Sequence, residues 1–328
     1  MIRLGIIGTS LITEQFLEAA LLTKKYKVSA IYSRTNERGK TFGKKYDCEN
    51  IFTSYEEMAK SDLIDAVYIA SPNKLHVEQS EIFLLNNKHV LCEKPITTSA
   101  KEYLSLKNLA DKNNLIYMEA IMPIFTEDRE IIKNAIKEIS PVSLARIDFS
   151  QRSSKLDAFL SGKYFTVFDK DFCGGALMDL GVYCIYAAID LFGEPSDVVS
   201  HSHFHNGNGV DMSGNIILKY KDFSVSLTYS KVGQSTLGSE IIGQNGSIKI
   251  DSISMYTGIH LLKGKTLQTL SPVKDRTFVM EKEALRFYDY INFYDDFSED
   301  YKEKSDLCHK VRILIDKIRS DKNEVRCC

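Results

Sequence analysis

With 328 residues, 44% hydrophobic and 26% charged, the chain is longer than one ordinary core sustains, and two soluble domains are expected. A formal net charge of -2 offers no field to draw in nucleic acid or an anionic membrane, so neither is expected as a partner. No apolar run is read as reaching the roughly 18 residues that cross a bilayer, and a first strand starting at Ile2 leaves no room for a signal peptide. The cytoplasm is the expected compartment. The seven cysteines, Cys48, Cys92, Cys173, Cys184, Cys308, Cys327 and Cys328, are odd in number and unpaired in spacing, as reduced thiols are. The terminal Cys327-Cys328 pair fits no prenylation box and reads as a frayed tail.

The first third alternates β-rich runs with helical stretches, with strands expected over 2–8, 27–33, 65–70, 88–92 and 115–119. The runs from Ile2 to Gly8 and from Ala66 to Ala70 are almost continuously apolar, as strands covered on both faces must be. Beyond Met118 a helix is expected near 127–139, a strand near 142–151 and a second helix over 176–192. Several strands follow, separated by Asn206-Gly207-Asn208-Gly209, Lys221-Asp222 and Asn245-Gly246 turns. Helical segments over 281–297 and 303–319 close the chain. The expected fold is α/β: a Rossmann parallel sheet over 1–121, then an α+β domain over 122–328 with a mostly antiparallel open sheet.

The turn after the first strand reads Gly8-Thr9-Ser10-Leu11-Ile12-Thr13. Of the three glycines of a dinucleotide fingerprint only Gly8 is in place, yet the window ends a strand and opens a helix, where backbone N–H groups favour a phosphate. The second strand ends at Ser33 and Arg34, with Arg38 close behind, and lacks the acid that NAD enzymes place on the ribose 2′-hydroxyl. A hydroxyl and guanidinium groups suit a 2′-phosphate, so NADP is expected ahead of NAD. Glu37 argues the other way, and a solvated helix start is the plain alternative for the arginines.

Ser71-Pro72-Asn73, His76, Glu93-Lys94-Pro95 and the segment from Gly174 to Tyr183 occur in the order in which the glucose-fructose oxidoreductase/inositol dehydrogenase/MocA family carries its motifs. The chain resembles that family over nearly its whole length. With tyrosine at position 183 it is similar to the branch of dimeric dihydrodiol dehydrogenases. The resemblance implies that Ser71, Pro72, Asn73 and His76 line the cofactor, that Glu93 and Lys94 face the nicotinamide, and that the outer face of the second sheet forms a homodimer. Ser10 and Thr13 depart from the family's commonest glycine-alanine pattern.

Lys94 follows a buried strand and precedes Pro95, which holds its ammonium at the carboxyl end of the sheet, where a cation stabilises an alkoxide. Tyr183 stands four residues after Asp179 on the expected helix, so the two share a face, with Tyr186 and Asp190 continuing that stripe toward a cleft or solvent. A free tyrosine titrates at about 10, and a neighbouring ammonium favours its phenolate. Tyr183 is therefore the expected proton donor and acceptor, Lys94 the oxyanion stabiliser and Asp179 the orienting group. The loop carrying Gln151, Arg152, Ser153, Ser154, Lys155, Phe165, Phe168 and Asp169 is a candidate substrate wall.

His201, His203 and His205 share a face if their segment is a strand, but neighbours two apart lie roughly 7 Å apart, and no metal site is expected. The expected activity is NADP-dependent hydride transfer at an alcohol/carbonyl pair of a sugar, polyol or cyclic diol. The alternative is a non-catalytic NAD(P) sensor of the same fold, and a third reading is elimination through transient oxidation on a retained cofactor.

Overall fold

In the computed structural model, which describes residues 1–205 and 207–320, the chain divides into two compact units. The first is Met1–Ile121 with Arg276–Asp306, and the second is Met122–Asp275 with the chain from Leu307 onward. The expected second domain over 122–328 is thus interrupted, because the helix Arg276–Asn292 belongs with the first unit. It buries Val279, Met280, Ala284 and Phe287, and the Tyr26 hydroxyl donates to Ala284 O over 2.6 Å. Residues Cys327 and Cys328 lie outside the described residues.

The first unit holds a parallel sheet of six strands, β1 (Ile2–Ile7), β2 (Tyr26–Tyr32), β3 (Ile51–Phe52), β4 (Ala66–Ile69), β5 (His89–Glu93) and β6 (Tyr117–Ala120), in the order β3-β2-β1-β4-β5-β6. This is the doubly wound Rossmann order, whose reversal beside β1 puts the ligand crevice at the carboxyl ends of the central strands. The helices α1 (Leu11–Leu22), α2 (Asn36–Gly43), α3 (Tyr55–Lys60), α4 (His76–Leu85) and α5 (Ala100–Lys112) form the crossovers. Phe16 of α1 stacks on Tyr68 of β4 with ring centroids 3.9 Å apart, closing one face of the sheet. The edge strand β3 escaped the sequence reading because two residues carry no alternation of their own.

The second unit contains α6 (Asp128–Ile139), β7 (Val142–Ser150), α7 (Leu156–Leu160), a π-helical segment Leu177–Gly181 running into α8 (Val182–Phe192), and β8 to β14. These strands are β8 (Asp197–Phe204), β9 (Asp211–Lys219), β10 (Ser224–Ser230), β11 (Ser239–Gly243), β12 (Gly246–Ser252), β13 (Thr257–Lys263) and β14 (Thr266–Ser271). The eight-stranded sheet has the order β14-β13-β12-β11-β7-β10-β9-β8 and is antiparallel except where β7 meets β10. Ala145, Ile147, Val225, Leu227, Ile216 and Leu218 alternate inward on adjoining strands and are fully or almost fully buried.

One stretch, Lys170–Phe192, is long and apolar enough to cross a bilayer, which corrects the reading that no such run exists. Its most apolar window is 89% buried inside the unit, so it is a core segment shielded by the sheet. Gly193, with φ of 79°, ends it as its position suggested.

Candidate active site

At the end of β1 the chain turns at Gly8, whose φ is +103° and where a Cβ would meet Ala70 O at 2.5 Å, so only glycine lets the two strand ends approach. Ser10 then opens α1 without a side-chain cap, unlike Thr35, Ser54 and Ser99, which each accept an N–H from the residue three further on. The first-turn N–H groups of α1 are thus left to another acceptor, and Leu11 and Ile12 are not buried beneath other residues. Arg38 Nε donates to Thr9 Oγ1 over 2.8 Å, bringing a cation from α2 onto this turn. The Ser33 hydroxyl is buried and has no hydrogen-bond partner among the described residues, while Arg34 beside it is exposed. A dinucleotide fits this set: uncapped N–H groups and a glycine for the pyrophosphate, an orphaned hydroxyl and a guanidinium for the ribose end.

His76 is fully buried, with Nε2 2.8 Å from Ser71 O and Nδ1 2.9 Å from Pro95 O. Where the sequence reading had it lining the cofactor, its ring ties the loop after β4 to the loop after β5. Burial holds its imidazole below the usual range. Ser71 Oγ donates to Gln79 Oε1 over 2.6 Å, and the loop goes on through Pro72 and Asn73 into a short 3-10 turn. At the end of β5, Lys94 is partly exposed between the buried Glu93 and Pro95.

Behind Lys94 the sequence reading missed a cluster of buried acids. Glu93 Oε1 accepts from the Tyr68 hydroxyl over 2.6 Å, Glu119 Oε1 accepts from Ile96 N over 3.0 Å, and Glu283 Oε2 has no hydrogen-bond partner among the described residues. Burial raises the Glu93 carboxyl, against the pull of Tyr68, Lys94 and Arg276. Burial, then Glu93 and Glu119, push Glu283 well above the usual carboxylate range. No motif betrays Glu283, since it arrives from a helix nearly 200 positions beyond β5.

In the second unit every residue from 173 to 189 is buried except Asp179. Asp179 lies in the π-helical segment, a wider turn often found at functional sites, and Tyr183 follows at the start of α8. The Tyr183 ring packs edge-on against Phe149 of β7, with centroids 5.5 Å apart. The stripe does not continue outward as expected. Tyr186 is fully buried, and the Asp190 side chain, 1% exposed, pairs with Arg129 at 2.5 Å and Lys133 at 3.1 Å, so both side chains belong to the core.

The ion partner of Asp179 is Lys231, the residue after β10, which the sequence reading also missed. Phe168, expected in a substrate wall, is instead buried against Leu156, Val210 and Met212, with Phe165 packed beside it. Arg152 pairs with Asp157 at the surface, and Asp169 accepts from the Tyr164 hydroxyl. His201 and His203 are exposed with rings 5.1 Å apart, while a register shift after His203 turns His205 onto Phe159.

Comparison with known proteins bears on both units. Residues 2–121 match the model of an oxidoreductase family with an NAD-binding Rossmann fold, and residues 134–249 match the GFO/IDH/MocA C-terminal domain. The chain is 42% identical over 253 residues to scyllo-inositol 2-dehydrogenase (NADP(+)) of Bacillus subtilis, covering 77% of each chain. It is 30% identical over 257 residues to trans-1,2-dihydrobenzene-1,2-diol dehydrogenase of Xenopus tropicalis, covering 76% of this chain and 74% of that one. The fold superposes with a TM-score of 0.83, at 23% identity and 97% coverage of both chains, on a 3-ketoreductase from Actinomadura kijaniata solved with NADP and TDP-benzene.

Proposed function

The chain belongs to the GFO/IDH/MocA oxidoreductase family, and from that membership and the geometry above we propose that it is an NADP-dependent dehydrogenase or reductase of a polyol, sugar or cyclic diol. The observation that carries the reading is the exposure pattern of the apolar helix: along a segment buried from 173 to 189, the single opening falls on Asp179, one turn before Tyr183. A carboxylate and a phenol are the groups that bind and deprotonate a substrate hydroxyl.

Bound NADP supplies or accepts the hydride. Gly8, Thr9, Ser10, Leu11 and Ile12 hold the pyrophosphate, Ser33, Arg34 and Arg38 the 2′-phosphate, and Ser71, Pro72, Asn73 and Glu93 the nicotinamide half. His76 fixes the two loops on which those residues stand. Tyr183 carries the proton of a reacting hydroxyl at its Oη, and Asp179 orients the substrate by accepting from a neighbouring hydroxyl. The Lys94 ammonium, at the end of β5, is the group suited to stabilise developing oxyanion charge.

The buried state of Cys48, Cys92, Cys173, Cys184 and Cys308 as free thiols supports a cytoplasmic location. A homodimer through the outer face of the second sheet is supported by exposed Val199 and Ile217, which are register partners, and by Leu144, Leu262 and Leu267 on strands further along. The test is oxidation of scyllo-inositol and a panel of cyclic diols with NADP+ or NAD+. Turnover with NADP+, reduced about a hundredfold or more in Tyr183→Phe with NADPH binding retained, is expected. Wild-type levels in that variant would remove Tyr183 from the reaction.

A further inference from the structure

Lys231 is an ammonium built into the interior of the second unit. Its side chain is 3% exposed, its N–H donates to Met212 O over 2.9 Å, and its carbonyl accepts from Ser153 N over 2.9 Å, so the backbone is held from both sides. The ammonium lies 5.5 Å from the centre of the Phe168 ring, which itself packs in the cluster of Leu156, Val210 and Met212. Its ion partner is Asp179, whose side chain is 34% exposed.

Two aspartates face this cation from different elements. Asp211, at the start of β9, accepts from Leu177 N over 2.6 Å and anchors the π-helical segment. The fit there is so close that a Cβ on Gly175, where φ is +112°, would stand 1.8 Å from Asp211 Oδ1. Asp179 sits two residues beyond Leu177 on that same segment. One carboxylate thus fixes the backbone that carries Asp179, and the ammonium fixes its side chain.

A lysine this buried loses its hydration, and removing either member of such a pair leaves an uncompensated charge. A pair that served packing alone would have no need of an opening to solvent at one end. Here the cation is sealed and its carboxylate is open.

We propose that Lys231 is a positioning residue of the reaction: from behind, it holds the Asp179 carboxylate aimed at the substrate hydroxyl beside the one that Tyr183 deprotonates. It never touches substrate, and it acts only through Asp179. This rests on the dehydrogenase reading, and it adds to that reading a cation that neither the sequence motifs nor the family resemblance picks out.

The experiment compares wild type, Lys231→Met, Lys231→Arg, Asp179→Asn and the double variant Lys231→Met/Asp179→Asn in the full-length protein, with scyllo-inositol and NADP+ as the probe reaction. Lys231→Met is expected to lower kcat about tenfold or more with NADPH affinity within about twofold, Lys231→Arg to restore most of it, and the double variant to lose little beyond Asp179→Asn alone. A merely structural lysine would lower the folded fraction and leave kcat per folded molecule, and the additivity of the two losses, untouched. Wild-type kcat in Lys231→Met, or fully additive losses, overturns the proposal while leaving the dehydrogenase reading intact. Absence of wild-type turnover with every polyol and diol overturns that reading first. The unfolding midpoints of the same five proteins then still decide whether the two side chains are coupled, and additive midpoints overturn the pairing on which the proposal stands.

Discussion

The two units bury carboxyl groups by opposite means. In the first, Glu93, Glu119 and Glu283 cluster behind the end of β5, and burial drives Glu93 and Glu283 toward the neutral form, Glu283 well above the usual range. In the second, Asp190 meets Arg129 and Lys133, Asp128 lies 2.7 Å from the Lys274 ammonium, and Asp179 meets Lys231. A carboxyl removed from water either takes up a proton or takes a cation. Asp190 takes the second course, and Asp179, though part-exposed, has a partner of the same kind in Lys231.

The contrast is broken most severely by taking a cation from the second unit. Arg129→Met strips the guanidinium from Asp190, and a loss of about 3–5 kcal/mol is expected, with Lys133 limiting it. Thermal unfolding should show a midpoint lower by on the order of 10 °C. A shift within error would mean that Asp190 is not held by charge.

Asp211 sharpens the comparison, since it lies in the second unit yet behaves like the first. Burial raises its carboxyl to about 6, although the N–H groups of Leu177 and Ala176 and the Lys231 ammonium pull the other way. Because the folded value lies above the unfolded one, this group's contribution is fully present below about pH 4 and is lost as pH rises to about 6, on the order of 3 kcal/mol. Stability of wild type minus that of Asp211→Asn, followed by denaturant unfolding across this window, should fall with rising pH and level off above it. A difference that rises instead would show that the carboxylate form is the one the fold prefers.

The smallest effect is expected at Glu283. A carboxyl that burial pushes toward its neutral form loses little when replaced by its amide, so Glu283→Gln should cost less than about 1 kcal/mol and leave the unfolding midpoint nearly unchanged at pH 7. A loss as large as that of Arg129→Met would show that Glu283 is ionised after all and that the two units do not differ.

Much of this architecture was written in local patterns. The apolar runs of β1 and β4 and the stop at Gly193 each follow from the side-chain or backbone demands of a few adjacent residues, and the hairpin between β11 and β12 turns at 244–245, one residue before the expected Asn245-Gly246 pair. The ordered motifs from Ser71 through Lys94 to Tyr183 carry the family's pattern without reference to any tertiary contact. What the chain could not announce locally is which charges meet. Lys231 and Asp179 are 52 positions apart, and Glu283 lies 190 beyond Glu93, so their pairing or crowding exists only once sheet and helix have packed. The outward stripe expected for Tyr186 and Asp190 failed for the same reason: helical spacing fixes which residues share a face, and only the neighbouring elements decide whether that face meets solvent. Periodicity is a property of one segment. Desolvation is a property of everything around it, and so the sequence named Asp179 while the tertiary structure alone supplied the cation paired with it.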